Sequence, residues 1–221
     1  MKLKSIEKAC KICDAVFSET VSKLKKKEIT TEKQVANFID SCIKDAGAKN
    51  SFPTIVASGK NAVSWHHEPK KVRLHKGFCV IDFGAKINGY CSDMTRTIYI
   101  GKATKTEKKI YKKLLKTQEK CISKIKAKVN GNDLYLLAKK ELGIYAEYFT
   151  HGLGHGLGKE IHSKPNIGKK KSKLKEGDII TIEPGIYIPN VMGLRIEDDV
   201  LVTKSGFRII SKSSKKLIEI D

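Results

Sequence analysis

The stretch Phe78 to Gly101, FCVIDFGAKINGYCSDMTRTIYIG, constrains the fold more than any other part of the chain. β-Branched and aromatic residues flank Asn88-Gly89, a pair that accepts positive φ and is the strongest short-range signal for a hairpin with a two-residue type I′ turn. Such a turn pairs Ile87 with Tyr90, and counting outward sets Gly84 opposite Asp93 and Asp82 opposite Thr95. Side chains alternate along a strand, so Asp82 and Asp93 become diagonal neighbours on one face. A three-residue loop would part them, unless a bulge intervened. Lys86, toward the turn, is the only basic residue predicted on that face, so something more cationic is expected between the two acids. Gly84 leaves room for another group to approach the backbone. Taken alone, the hairpin reads as carrying two ordinary solvated strand carboxylates; the rest of the chain changes that reading.

At 221 residues the chain fits one domain, residues 1–221, with a substantial core. No apolar run approaches the ~18 residues of a membrane span, and Met1 to Lys11 leads into an amphipathic pattern without a signal-peptide core. The expectation is a cytoplasmic protein with no membrane partner. The net charge of +20 invites a nucleic-acid reading, yet only Arg73, Arg96, Arg195 and Arg208 are arginines and the lysines are scattered without aromatic interleaving. They read as solvated faces, and no specific nucleic-acid partner is expected. Cys10 and Cys13 form a CxxC, but they fall on the apolar stripe Ile6, Cys10, Cys13, Phe17, Val21, Leu24, and no second pair completes a zinc site. They are expected to be core thiols.

In chain order, residues 5 to 26 predict a first helix. A second begins after Thr31, with Thr31 and Gln34 as a capping box, an inward stripe Val35, Ile39, Cys42, Ala46, and Gly47 as its stop. An extended segment, Phe52 to Ala57, precedes a loop from Ser58 to Pro69. Beyond the hairpin, Thr104 and Glu107 box a third helix, and Asn132 or Asp133 caps a fourth that ends near Gly143. Helices and antiparallel strands with no dividing linker predict an α+β fold.

The segment HGLGHGLGKEIH then places His151, His155 and His162 among four glycines, three of the chain's six histidines in twelve residues. Glycines there allow a ligand to sit against the main chain. In DIITIEPGIYIPNVMGLRIEDDVLVT, Asp178 to Thr203, two β-rich runs flank a turn around Pro189 to Gly193, a second hairpin. Glu183 and Glu197 each interrupt an apolar run directly after an isoleucine, and glutamates are seldom buried there unless paired or coordinating.

If both hairpins face one cavity, Asp82, Asp93, Glu183 and Glu197 bring four negative charges and one histidine a neutral donor. Two divalent cations balance that charge, whereas one leaves the site strongly negative. Mainly oxygen donors with a single imidazole favour manganese, with cobalt, iron or zinc as alternatives. Two such ions acidify water toward neutrality and supply a nucleophile for hydrolysis.

Five ordered motifs, SFPTIVASGKNAVSWH (Ser51 to His66), Asp82 with Asp93 eleven residues on, GHGLGKEIH, TIEPG and RIEDDVLVT, resemble the pita-bread metallopeptidase superfamily, and within it the Xaa-Pro peptidases, prolidase and aminopeptidase P. The resemblance runs from the first helix to the last strand. It implies a curved antiparallel sheet covered by helices and a dinuclear exopeptidase acting on the N-terminal bond of peptide substrates with proline second; any assembly is expected to be a homodimer. It also implies that Asp82 and Asp93 bind one metal, Asp93 bridging to the second, that His155 and Glu183 bind the second, and that Glu197 bridges both. Glu183 falls at the general-base position, His66 and His162 at those that contact the scissile peptide, and His151 and Arg195 at positions behind the metal ligands and on the substrate side. His67 and His75 match nothing in the pattern and are expected at the surface.

The pattern has departures. Xaa-Pro peptidases usually carry an additional amino-terminal domain, absent from this sequence, and methionine aminopeptidases are often the catalytic domain alone; removal of N-terminal methionine is therefore the alternative. Against it stand the fourteen-residue step from Glu183 to Glu197 and the Arg195-Ile196-Glu197-Asp198 context. The arginine that dipeptidases of the family tend to carry before TIEPG is replaced by lysines, which offer point charges and no planar fork. Ser163 stands where a glutamate commonly follows the histidine. A catalytically inactive binding module on the same fold is the alternative of another class, though such relatives have typically lost metal ligands.

Overall fold

In the computed structural model, which describes residues Met1 to Asp221, Asn88 (φ 50°) and Gly89 (φ 80°) form the turn expected of them. Ile87 pairs with Tyr90 and Asp82 with Thr95. The hairpin is not one continuous ladder, however. Gly77–Phe83 and Met94–Ile100 belong to a four-stranded sheet, while Ala85–Ile87 and Tyr90–Cys91 join Lys49–Asn50 in a small separate one. The division falls at Gly84, where a Cβ would lie 2.0 Å from the Ser92 carbonyl oxygen. The close approach that this glycine permits is therefore that of its own partner strand.

The second hairpin divides in the same way. Gly185–Ile188 and Met192–Arg195 pair around a turn in which Asn190 has φ 59°. Ile179–Ile182 and Asp198–Val202 pair beneath them in a five-stranded sheet that also holds Phe207–Ile209, Gly154–Gly156 and Ser163–Ile167. Glu183 and Glu197 occupy the gap between the two halves, as Asp93 does in the first hairpin. The hairpins meet edge to edge: the Glu197 N–H donates to the Thr95 carbonyl at 3.1 Å, and the Thr97 hydroxyl donates to the Arg195 carbonyl at 2.7 Å.

Four helices cover these sheets in two pairs. α1 (Lys2–Lys25) and α2 (Glu32–Asp45) pack on the four-stranded sheet through Phe17, Val35 and Ile39 against Val56, Ile81 and Ile98. α3 (Lys105–Ile122) and α4 (Gly131–Leu142) pack on the other through Ile110, Leu114 and Leu134 against Ile180, Ile182 and Val200. Both expected capping boxes form, Thr31 with Gln34 and Thr104 with Glu107. Cys10 and Cys13 are buried free thiols.

Three expectations are corrected. The inward face of α2 carries Ala36 and Ile43 rather than the half-buried Cys42 and the exposed Ala46. α4 is capped by Asn130, whose side chain accepts from the Asn132 N–H, not by Asn132 or Asp133. The reason is distant in sequence: a Cβ at Gly131 would lie 3.0 Å from the Asn166 carbonyl oxygen, so the helix begins where its first residue packs tightly against that strand. His67 is buried, whereas His75 is exposed as expected. No helix is long and apolar enough to cross a membrane.

Candidate metal centre

Each acidic candidate stands near a strand end: Asp82 one residue before the end of its strand, Asp93 just before Met94, Glu183 just after Ile182, and Glu197 between Arg195 and Asp198. His155 is the middle residue of Gly154–Gly156. A Cβ at Gly154 would lie 2.0 Å from the Thr181 carbonyl oxygen and one at Gly156 2.1 Å from that of Lys164, so the glycines on either side let this strand sit deep between its neighbours. All five side chains line one cavity of about 990 Å³.

Within it, single donor atoms of Asp93, His155 and Glu197 lie within 4.8 Å of one another. His155 Nε2 is 3.6 Å from Asp93 Oδ2 and 3.4 Å from Glu183 Oε1. Its Nδ1 is 3.2 Å from the Gly156 carbonyl, which requires an N–H there and leaves the Nε2 lone pair directed at carboxylates. A lone pair facing two anions is unfavourable unless a cation lies between them. Asp82 Oδ1 and Glu197 Oε1 are buried without any hydrogen-bond partner, and such oxygens are costly unless a cation takes them.

The electrostatics agree. Burial, and then repulsion from Glu197 and Asp82, holds the Asp93 carboxyl well above the carboxylate range. Burial followed by repulsion from Glu183 and Asp82 does the same to Glu197. Glu183 is pushed up to about 7 by burial, with Arg195 drawing it down and Asp82 pushing it further up. Hard oxygen donors, one imidazole in the right tautomer, and negative charge in excess fit divalent cations well.

Arg195 is the one guanidinium in this cavity, and it is committed: it donates to Asp82 Oδ2, to the Thr95 hydroxyl at 3.1 Å and to the Tyr187 hydroxyl at 2.7 Å. It, rather than Lys86, supplies the positive charge beside Asp82. Tyr187 in turn lies 2.9 Å from His151 Nε2, and His151 Nδ1 lies 2.7 Å from the Gly152 carbonyl. The donors run one way, from Arg195 to Tyr187 to His151 to Gly152. Burial, then Arg195, lowers the His151 value to about 3, so this imidazole is neutral. His66 and His162 also line the cavity, His66 exposed beside Trp65 and His162 with its ring 4.5 Å from that of His155.

Four supporting residues escaped the sequence reading. The Thr95 hydroxyl donates to Glu197 Oε2 at 2.7 Å, the Thr181 hydroxyl to Glu183 Oε1 at 3.3 Å, Asp199 accepts the Asp93 N–H at 3.1 Å, and Tyr187 holds Arg195. A signal existed for two of them: Thr95 stands two residues from Asp93 and Thr181 two from Glu183, the strand spacing that returns to the same face.

The pattern of the family described as metallopeptidase family M24 matches residues 4–204. The Xaa-Pro dipeptidase of Pyrococcus horikoshii is 39% identical over 223 residues, covering 98% of this chain and 63% of that protein. The crystal structure of a prolidase from Thermococcus sibiricus superposes with a TM-score of 0.93 at 36% identity, over 99% of this chain and 61% of that one. An X-Pro aminopeptidase from Thermotoga maritima gives a TM-score of 0.93 at 33% identity, over 99% and 63%. The chain thus spans about three-fifths of the length of these relatives.

Proposed function

The chain belongs to metallopeptidase family M24, and from that premise we propose that it is a dinuclear exopeptidase that releases the first residue of peptides with proline second. The fold of prolidases, the divalent-metal requirement of the family and the cluster of Asp93, His155 and Glu197 are the ground on which this stands.

In this reading Asp82 and Asp93 would hold one ion and His155 and Glu183 the other, with Asp93 and Glu197 serving both. The observation that carries it is the pair of partnerless buried oxygens, Asp82 Oδ1 and Glu197 Oε1, in the cavity toward which the His155 lone pair is turned. Asp82 suits such a role because Arg195 takes only Oδ2 and leaves Oδ1 free. When bound, the ions supply Lewis acidity and an acidified water. The chain supplies the rest. Glu183, beside His155, accepts the proton that the attacking water loses. His66 and His162 donate to the scissile peptide as its carbonyl oxygen gains charge. Arg195 and Tyr187 fix Asp82 and His151 without themselves titrating. Manganese is the proposed metal, from the oxygen-rich donor set.

The test is a comparison of peptides with proline second against methionine-first peptides such as Met-Ala, using metal-loaded protein. Release of the first residue from the former, with little from the latter, is expected; the reverse preference moves the assignment to methionine removal. An inactive module is opposed by the presence of all five donor side chains, and would bind divalent metal only substoichiometrically when metal is in excess.

A further inference from the structure

The loop that carries Trp65 and His66 into the cavity is tied to a single buried carboxylate that does not itself line it. Glu32, the first residue of α2, is fully buried. Its Oε1 accepts from the Ser58 N–H at 2.9 Å, the Ser58 hydroxyl at 2.8 Å and the Asn61 amide at 2.9 Å. Its Oε2 accepts from His67 Nε2 at 2.9 Å and the Lys70 N–H at 3.2 Å. These donors stand at the start of the loop, in its 3₁₀ turn (Gly59–Val63), next to its apex and at its end. Backbone bonds from the same helical turn, Glu32 N–H to Val72 and Lys33 N–H to Lys70, clamp the returning segment.

Between the Asn61 and His67 anchors lie Ala62, Val63, Ser64, Trp65 and His66. Trp65 is 40% exposed, and its ring lies 4.3 Å from that of His66 and 5.5 Å from that of His151. The opposite side of the loop is fixed as well, for Gly193 abuts the Ala62 carbonyl so closely that a Cβ there would lie 1.8 Å from its oxygen. When a carboxylate that accepts five donors is replaced by a group with fewer acceptor sites, donors are left buried and unpaired, and the loop they belong to is no longer held.

We propose that Glu32 is a positioning residue whose buried carboxylate sets where Trp65 and His66 stand in the cavity. The consequence for turnover rests on the proposed peptidase function; the placement does not. His67, bonded to Glu32 through Nε2, is the anchor nearest the apex and belongs to the same device.

Trp65 is the only tryptophan in the chain, so its emission reports the loop directly, with or without activity. Glu32→Gln keeps the shape of the side chain and removes half its acceptor capacity. The expected result in the metal-loaded protein is a shifted Trp65 emission maximum, at least twofold greater quenching by acrylamide, unchanged metal stoichiometry, and kcat on Ala-Pro lowered ~10-fold or more, the scale of a misplaced contact group. His67→Phe, which leaves Glu32 intact, is expected to shift the same readings less; if Glu32→Gln does not fold, this variant decides. Unmoved emission overturns the proposal, as does unmoved kcat with lowered thermal stability alone, which marks a merely structural residue. A wild-type protein inactive on every proline-second peptide overturns the proposed function instead, and the emission of the two variants still judges the loop.

Discussion

Asp93 faces Asp82, Glu183 and Glu197 from a buried position, and burial and mutual repulsion together disfavour its ionised form. Counter-ions remove that cost, so Asp93→Ala is expected to abolish stoichiometric divalent-metal binding, measured by elemental analysis after desalting, and to take turnover to background. Retained metal and activity would contradict the shared-ligand arrangement. Glu32 offers a test of opposite kind. Burial raises its value, but hydrogen bonds from Asn61, Ser58 and His67 outweigh burial and leave it below the ordinary 4.5. A folded value below the unfolded one adds stability above the unfolded value and loses it as pH falls through the folded one. The stability gap between the wild type and Glu32→Gln, from urea unfolding, should therefore narrow as pH drops below the ordinary glutamate range; a constant gap from neutral to acid pH would contradict the ionised-acceptor account. The contrast between these residues shows what a sequence displays. Glu183 and Glu197 stand out because they interrupt apolar runs, and Asp82 and Asp93 because the Asn88-Gly89 turn sets them on one face. Glu32 sits in the first turn of a helix, where an acid is favoured by the dipole and looks ordinary. His67 reads as a surface residue until the loop folds back on that carboxylate.

Secondary elements were legible where their causes are local. The Asn88-Gly89 turn and the two capping boxes depend on neighbours within four residues, and all three form as expected. The start of α4 was not, because it is decided by contact of Gly131 with a strand more than thirty residues on. Nor did the pattern reveal that each hairpin divides near its middle, the feature that places Asp93, Glu183 and Glu197 at strand ends. Close backbone approach marks the first of these joints, at Gly84, and recurs where Gly193 meets the loop at Ala62. Gly193→Ala forces a Cβ against the Ala62 carbonyl, and the overpacking should cost ~1–3 kcal/mol and lower the urea midpoint. Because Ala62 belongs to the loop bearing His66, kcat should fall as well. A variant with wild-type midpoint and kcat would show that the hairpin does not brace the loop.

Across the whole molecule, two helix pairs back two sheets, and the acids meet where the sheets abut. The joining bonds, Glu197 N–H to Thr95 and the Thr97 hydroxyl to Arg195, are buried, so the halves hold the donor atoms in register. Four acids and five ordered motifs in the sequence point to this meeting, whereas Arg195 becomes the partner of Asp82 only in the fold, since 113 residues separate them. The proposed chemistry needs divalent ions held jointly by side chains from both halves. Its most direct test is titration of metal-free protein with manganese while following release of the first residue from a proline-second peptide. Activity should rise in step with bound metal and level off at two equivalents per chain; no release at any metal content, or activity undiminished in the metal-free protein, would contradict it.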